Sequence, residues 1–125
     1  MSHFNRNFSV IEKVSALRFE DYWHDLLDNC VIDLMKIDVE GHELEVLNGC
    51  GASLKSTKII QFEFGVCNID SRTFFRDFWK FFDAHGFILF CITPFGLRRV
   101  GSYRTIEESF ETANYLGVNK RFINV

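Results

Sequence analysis

Five ionisable side chains interrupt two short apolar runs. Lys36, Asp38, Glu40 and His42 lie in Lys36-Ile37-Asp38-Val39-Glu40-Gly41-His42-Glu43, and Glu63 lies in Gln61-Phe62-Glu63-Phe64-Gly65. Burying a charge is costly unless it is paired, so charged groups inside such runs need a reason to be there. Side chains alternate along a strand. Lys36, Asp38 and Glu40 therefore share one side of the first run, while Gln61 and Glu63 share a side of the second, opposite Phe62 and Phe64. If the runs are neighbouring strands, a lysine, several carboxylates and an amide converge at one edge of a sheet. Such a set suits proton transfer at an acceptor hydroxyl, with Asp38 as base or as a contact to a cofactor's edge and Glu40 orienting the substrate.

Other readings of these residues stay open. Lys36 and Glu63 are either part of that set or a structural ion pair that satisfies itself. His42 is an exposed residue at a helix start, a general base, or a metal ligand with Asp38 and Glu40. The zinc pattern HExxH fails, because Val46 stands where its second histidine would be, and no metal is assigned. Cys67 follows the second run and is close enough in sequence to join the site, although a lone cysteine there more often packs. His3, His24 and His85 read as surface residues. GxSxG, the P-loop and GxGxxG are all absent from the sequence.

The elements that must position these residues follow from periodicity and turn signals. Phe8 to Leu17 reads as a strand through Val10, Ile11 and Val14. Phe19, Tyr22, Trp23, Leu26 and Leu27 fall at helical spacing, with acids opposite and Asn29 as the stop. Val31 to Val39 reads as a strand covered on both faces, leaving through Glu40-Gly41. A helix follows from about His42, with Leu44, Leu47 and Leu54 on one stripe and Glu43 and Glu45 in its first turn. Lys58 to Phe64 is the next buried strand, closed by Gly65. Asp70-Ser71 is an N-cap for a helix whose Phe74, Phe75, Phe78, Phe81 and Phe82 form a core-facing stripe, ended by Gly86. Phe87 to Thr93 is a strand, turned by Pro94-Phe95-Gly96 into a short arm over Leu97 to Val100, and Ala113 to Val118 is the last strand. The fold class is α/β, with parallel central strands, an antiparallel C-terminal edge and three main helices.

Bulk properties narrow the function classes. The 125 residues carry 47% hydrophobic and 25% charged residues, enough for one domain and too few for two. Fifteen phenylalanines ask for burial against a sheet or a partner. A net charge of -3 with interspersed signs offers neither the basic stripe of a nucleic-acid binder nor a polybasic membrane segment. Cys30, Cys50, Cys67 and Cys91 form no CxxC pair, so they read as reduced thiols. No apolar window has signal-peptide or membrane-spanning character, which makes a cytoplasmic protein the expectation.

The run from Asp33 to Gly49, with Lys36-Ile37-Asp38-Val39-Glu40-Gly41 at its centre, resembles the hallmark of the FkbM methyltransferase family. Leu17 to Leu26 resembles the helix before that hallmark, although Arg18, Phe19 and Glu20 depart from its acidic start. Ile59 to Gly65, Gly86-Phe87 and Asn114-Tyr115-Leu116 match later features, so the resemblance spans about residues 17–118. It implies a Rossmann-like class I methyltransferase sheet, with Val31–Val39 and Lys58–Phe64 as fourth and fifth strands. It also implies S-adenosylmethionine as cofactor and O-methyl transfer to a sugar or other small-molecule hydroxyl. By position the family's run falls on Lys36, Asp38, Glu40, Gly41 and Glu43, with Glu63 on the next strand. The glycine-rich turn and strand-ending acid that hold the cofactor in that fold have no counterpart before Gly41, so the whole chain is expected to form one partial, C-terminal portion of the domain, and no cofactor-binding residue is assigned. Its alternative role is a non-catalytic interaction module. A first strand left at a sheet edge would pair with a second copy or be covered by Phe8–Leu17.

Overall fold

The computed structural model describes residues 10–124. Five strands form one mixed sheet in the order β1-β2-β5-β3-β4: β1 Ile32–Ile37, β2 Thr57–Phe64, β3 Phe87–Thr93, β4 Gly96–Val100 and β5 Ala113–Asn119. The helices are α1 Phe19–Leu26, α2 Glu43–Gly49, α3 Cys67–Asp70 and α4 Phe75–Ala84, with short 3-10 turns at Gly51–Ser56, Thr105–Glu107 and Lys120–Phe122. The α/β class and the three main helices α1, α2 and α4 agree with the sequence; α3 is an extra single turn.

β1 and β2 run parallel, with Lys36 opposite Gln61 and Ile37 opposite Phe62. β3 and β4 form the expected antiparallel edge. The last strand does not join that edge. β5 inserts between β2 and β3, antiparallel to both. Its core face explains the place it takes: Tyr115 lies against Phe75 and Phe62, with ring centroids 4.7 and 5.6 Å apart. Two residues on, Gly117 leaves room for Phe82, since a Cβ there would stand 2.5 Å from that ring.

Only one face of the sheet is deeply buried. Ile37, Ile60, Phe62 and Phe64 join Leu47, Cys50 and Leu54 beneath α2 and Phe75, Phe78 and Phe82 beneath α4. On the other face Ile59, Gln61 and Glu63 are half-buried and Leu34 is 58% exposed. The reading of Val31–Val39 as covered on both faces is therefore corrected. β1 is a sheet edge, and its apolar residues follow from one buried face and one open flank.

Two further expectations fail. Residues 10–17 form no strand, and Val10, Ile11, Val14 and Leu17 are exposed; Phe8 and Ser9 lie outside the described residues. Asp70-Ser71 does not cap the phenylalanine helix. It closes α3, Arg72 turns through a left-handed conformation, and α4 starts at Phe75. The first amides of α4 are satisfied instead by Asp77, which accepts from Phe74 N at 2.9 Å, and by Glu108, which accepts from Phe75 N and Arg76 N at 3.1 and 2.8 Å. The later start puts Phe74 outside the stripe, 53% exposed. Gly86 ends α4 at φ 77°, as the sequence indicates.

α1 is anchored at both ends. Trp23 is buried and donates its indole N–H to Cys30 O at 2.8 Å, and Glu20 accepts from Ala52 N at 2.8 Å. Asp28 and Asn29, both with positive φ, stop the helix.

The centre of the core is Phe62, fully buried and stacked on Phe78 and Phe82 at 4.9 and 5.0 Å. Phe62→Ala is expected to lose about 3–5 kcal/mol, through lost transfer energy and the cavity left behind. Urea unfolding checks this; a loss below about 1 kcal/mol contradicts the assignment of this core.

Candidate functional site

The site is built where β1 and β2 end. Carrying their register one residue past Ile37–Phe62 sets Asp38 beside Glu63. Asp38 is exposed, just beyond the last residue of β1, and Glu63 is half-buried within β2. The chain then turns sharply, with Glu40 at φ 52° and Gly41 at φ 103°. Only glycine suits position 41 on two counts: its backbone conformation, and a Cβ that would stand 2.5 Å from Cys67 O. This contact presses the exit of β1 against α3, which begins the exit of β2.

Glu43 holds that turn from inside. It is 2% exposed, and its Oε1 accepts from Val39 N and Gly41 N, both at 3.2 Å. Its Oε2 is buried without a hydrogen-bond partner among the described residues. Across the rim, Asn68 is equally buried; its Oδ1 accepts from Gly65 N at 2.9 Å while its Nδ2 has no partner. The Cys67 thiol donates to Glu40 Oε2 at 3.2 Å, so the turn after β1 and the helix after β2 are joined by side chains as well.

The electrostatics follow from this crowding. Burial pushes the Glu63 carboxyl above the usual carboxylate range, and Asp38, Glu40 and Glu43 push it further, against a smaller opposing effect of Lys36. The hydrogen bond to Glu40 raises the Cys67 thiol, which stays protonated at neutral pH. Buried Cys50 is pushed up to about 11. All four cysteines are free, as expected.

Of the sequence-derived set, Asp38, Glu40 and Glu63 come together and Lys36 lies close enough for its charge to be felt at Glu63. The proposed Lys36–Glu63 ion pair does not form. The charged pair joining β1 and β2 is Asp33 with Lys58, at 2.7 Å near the opposite end of the strands. His42 is exposed at the start of α2, with Nδ1 3.5 Å from Glu45, which is the first of its three readings. Among the described residues no three histidines, cysteines or acids are placed to share a metal ion, so the grouping of His42 with Asp38 and Glu40 is not formed. His24 and His85 are exposed, as read; His3 lies outside the described residues. A cavity of about 500 Å³ opens beside the rim, lined by Glu40, His42, Cys67, Asp70 and Ser71. A second, of about 340 Å³, runs beside the open edge of β1 past Phe19, Met35, Lys36, Asp38 and Val46.

Sequence reasoning missed Asn68 and the cavity wall at Asp70 and Ser71, and it placed Glu43 in the family's run without seeing that it is buried under the turn. Glu43 carried one usable signal, its place two residues after a glycine that ends a strand. Asn68 carried none.

This chain belongs to the methyltransferase FkbM domain family, whose model matches residues 2–89. No curated protein and no solved structure matches it. The matched stretch contains every residue of the rim and ends within β3, so β4 and β5 lie beyond it. No helix among the described residues is long and apolar enough to cross a membrane.

The raised Glu63 carboxyl makes a signed prediction. Its folded-state pKa lies above the unfolded value, so its contribution to stability is fully present below the unfolded pKa of about 4 and is lost as pH rises through the folded one. Glu63→Gln removes that loss. It is expected to raise the melting temperature at pH 7 and to make no difference below about pH 4. An equal or lower melting temperature at pH 7 contradicts the crowding described here.

Proposed function

We propose that the chain serves S-adenosylmethionine-dependent methyl transfer to a hydroxyl of a small molecule or sugar, in a Rossmann-like class I sheet with β1 and β2 as fourth and fifth strands. The observation that carries this reading is the parallel register that sets Asp38 beside Glu63, followed by a turn whose Glu40 lines a cavity, all inside the stretch that matches the family. Bound cofactor would supply an electrophilic methyl group. The described residues provide the acceptor side of such a site and not the cofactor's main grip. Their left-handed glycines, Gly41, Gly51, Gly86 and Gly96, sit singly at turns, and no glycine-rich turn leads from a strand into a helix.

Within the rim, Asp38 is exposed and free to accept a hydroxyl proton. Glu63 has its proton affinity raised by its neighbours and can share or relay that proton. Glu40, fixed by the Cys67 thiol, orients the acceptor. Lys36 offsets part of the negative charge that builds up when the rim is ionised. The four free thiols support a reducing, cytoplasmic setting.

A second reading, an interaction module, is favoured by the free edge of β1. Its flank is open and Leu34 is 58% exposed, so a second copy could extend the sheet there. Sedimentation separates the readings in part: a dimer dissolved by a proline at Leu34 supports the module, and a monomer at all concentrations removes it.

The methyl-transfer reading is tested by transfer of labelled methyl from S-adenosylmethionine to a panel of hydroxylated sugars and alcohols. Asp38→Asn is expected to lower the rate roughly 10²–10⁴-fold, the usual contribution of a positioned base. Absence of transfer to every acceptor, or full activity of the variant, contradicts the assignment.

A further inference from the structure

We propose that residues 10–17 of one copy of the chain pair with the open edge of β1 in a second copy, so that two copies exchange these arms and form a dimer. The proposal is separate from the methyl-transfer reading. It rests on the interaction reading and narrows that reading to one occupant of the edge.

Two surfaces of the same chain stand without a partner among the described residues, and their chemistry matches. The first is the edge of β1, the outer strand of the sheet. An apolar groove runs along its core-facing side. A cavity of about 340 Å³ bordered by Phe19, Met35, Ile37 and Val46 adjoins one of about 430 Å³ bordered by Leu17, Phe19 and Val46. An edge strand presents a row of backbone N–H and C=O groups, and beside such a groove it is a template for an added strand. The second surface is the arm itself. Residues 10–17 join no helix or strand, and Val10, Ile11 and Val14 are 80, 88 and 79% exposed. β-branched residues fit a half-buried strand, and pairing at the groove would take them out of water.

The occupant is the arm of a second copy. In its own chain the arm passes Ala16 and Leu17, which border the second cavity, and leads through Arg18 straight into α1. Reaching its own β1 would take a reversal within residues 10–18, which contain no glycine, proline, asparagine or aspartate, the residues that make tight turns. Exchange about a two-fold axis covers both edges and closes at two copies. Charge sets the register. Lys36 forms no ion pair among the described residues. An antiparallel arm with Glu12 opposite Lys36 brings Val14 opposite Leu34 and Ile11 opposite Ile37. Alternation then sets Glu12 and Val14 on the open face with Lys36 and Leu34, and sends Ile11 into the groove. Lys13 falls opposite Met35 and diagonal to Asp33. A slip of one residue drives Glu12 into the apolar groove. A slip of two toward the rim opposes Glu12 to Asp38, and a slip of two the other way sends Lys13 to Asp33, which Lys58 already holds at 2.7 Å.

The test is sedimentation equilibrium of the whole chain over a range of concentrations, where a monomer–dimer equilibrium is expected. Ile11→Asp places a carboxylate in the groove of the partner, and Glu12→Lys opposes two like charges at Lys36. Each is expected to weaken the dimer about tenfold or more, since each acts twice in a two-fold pair. Both lie outside the helices and strands, so the melting temperature of the dissociated chain is expected to stay unchanged. Glu12→Lys combined with Lys36→Glu is expected to restore the dimer, which a merely unfolded variant would not do. A dimer that ignores Ile11→Asp and Glu12→Lys but dissolves in Leu34→Pro overturns the arm exchange and leaves the open-edge reading standing. A dimer lost in Glu12→Lys and not recovered in the double variant also overturns the proposal. A monomer at every concentration overturns the proposal and the interaction reading together.

Discussion

One buried carboxylate governs the geometry of the rim. Glu43 lies under the exit of β1 and accepts from the amides of Val39 and Gly41. Those amides belong to a turn that β-sheet pairing cannot satisfy, since β1 ends at Ile37. A charged acceptor placed beneath them lets the chain reverse through Glu40 and Gly41 in left-handed conformations and enter α2 at once. Remove that acceptor, and Glu40 loses the position from which it meets Cys67, while Asp38 loses the fixed stem that sets it beside Glu63.

The rest of the fold holds the second half of the rim in register with the first. Phe62 and Phe64 are pinned by the rings of α4, so β2 cannot slide, and Gln61 and Glu63 are thereby fixed on the opposite face. β5 locks the arrangement from the other side. Gly117 admits Phe82, and the Asn119 amide donates to Leu54 O and Thr57 O at 3.2 and 2.9 Å, tying the start of β2 to the end of β5. The chemistry-bearing rim is therefore polar at its surface and rigid from behind.

Much of this was legible in the sequence because it is local. The apolar runs, the alternation that separates Glu63 from Phe62, and the phenylalanine stripe of α4 are period signals, and together with the turn at Pro94-Phe95-Gly96 they located all five strands that form and all three main helices. What failed was non-local. The start of α4 is set by Glu108, more than thirty residues downstream, which no local capping rule can see. The central place of β5 depends on how Tyr115 and Gly117 meet α4 and not on where they stand in the chain. The strand expected at Phe8–Leu17 had β-branched residues but no partner to pair with within the described residues. Lys36 and Glu63 were a sensible ion pair by face and register, yet the pair that forms is Asp33 with Lys58. Glu43 looked like an ordinary first-turn acid, and only the sharpness of the preceding turn makes it the buried one.

The account rests on Glu43 holding the β1 exit, and amide hydrogen exchange reads this directly. In the wild-type chain the Val39 and Gly41 amides should be protected. In Glu43→Ala they should exchange at least tenfold faster, in keeping with the ~1.5–3 kcal/mol of a hydrogen bond to a charged group, while the Phe62 amide in β2 stays protected. Glu43→Gln, which keeps an acceptor oxygen, should retain much of the protection. Unprotected Val39 and Gly41 amides in the wild type, or exchange unchanged by Glu43→Ala, would contradict the account.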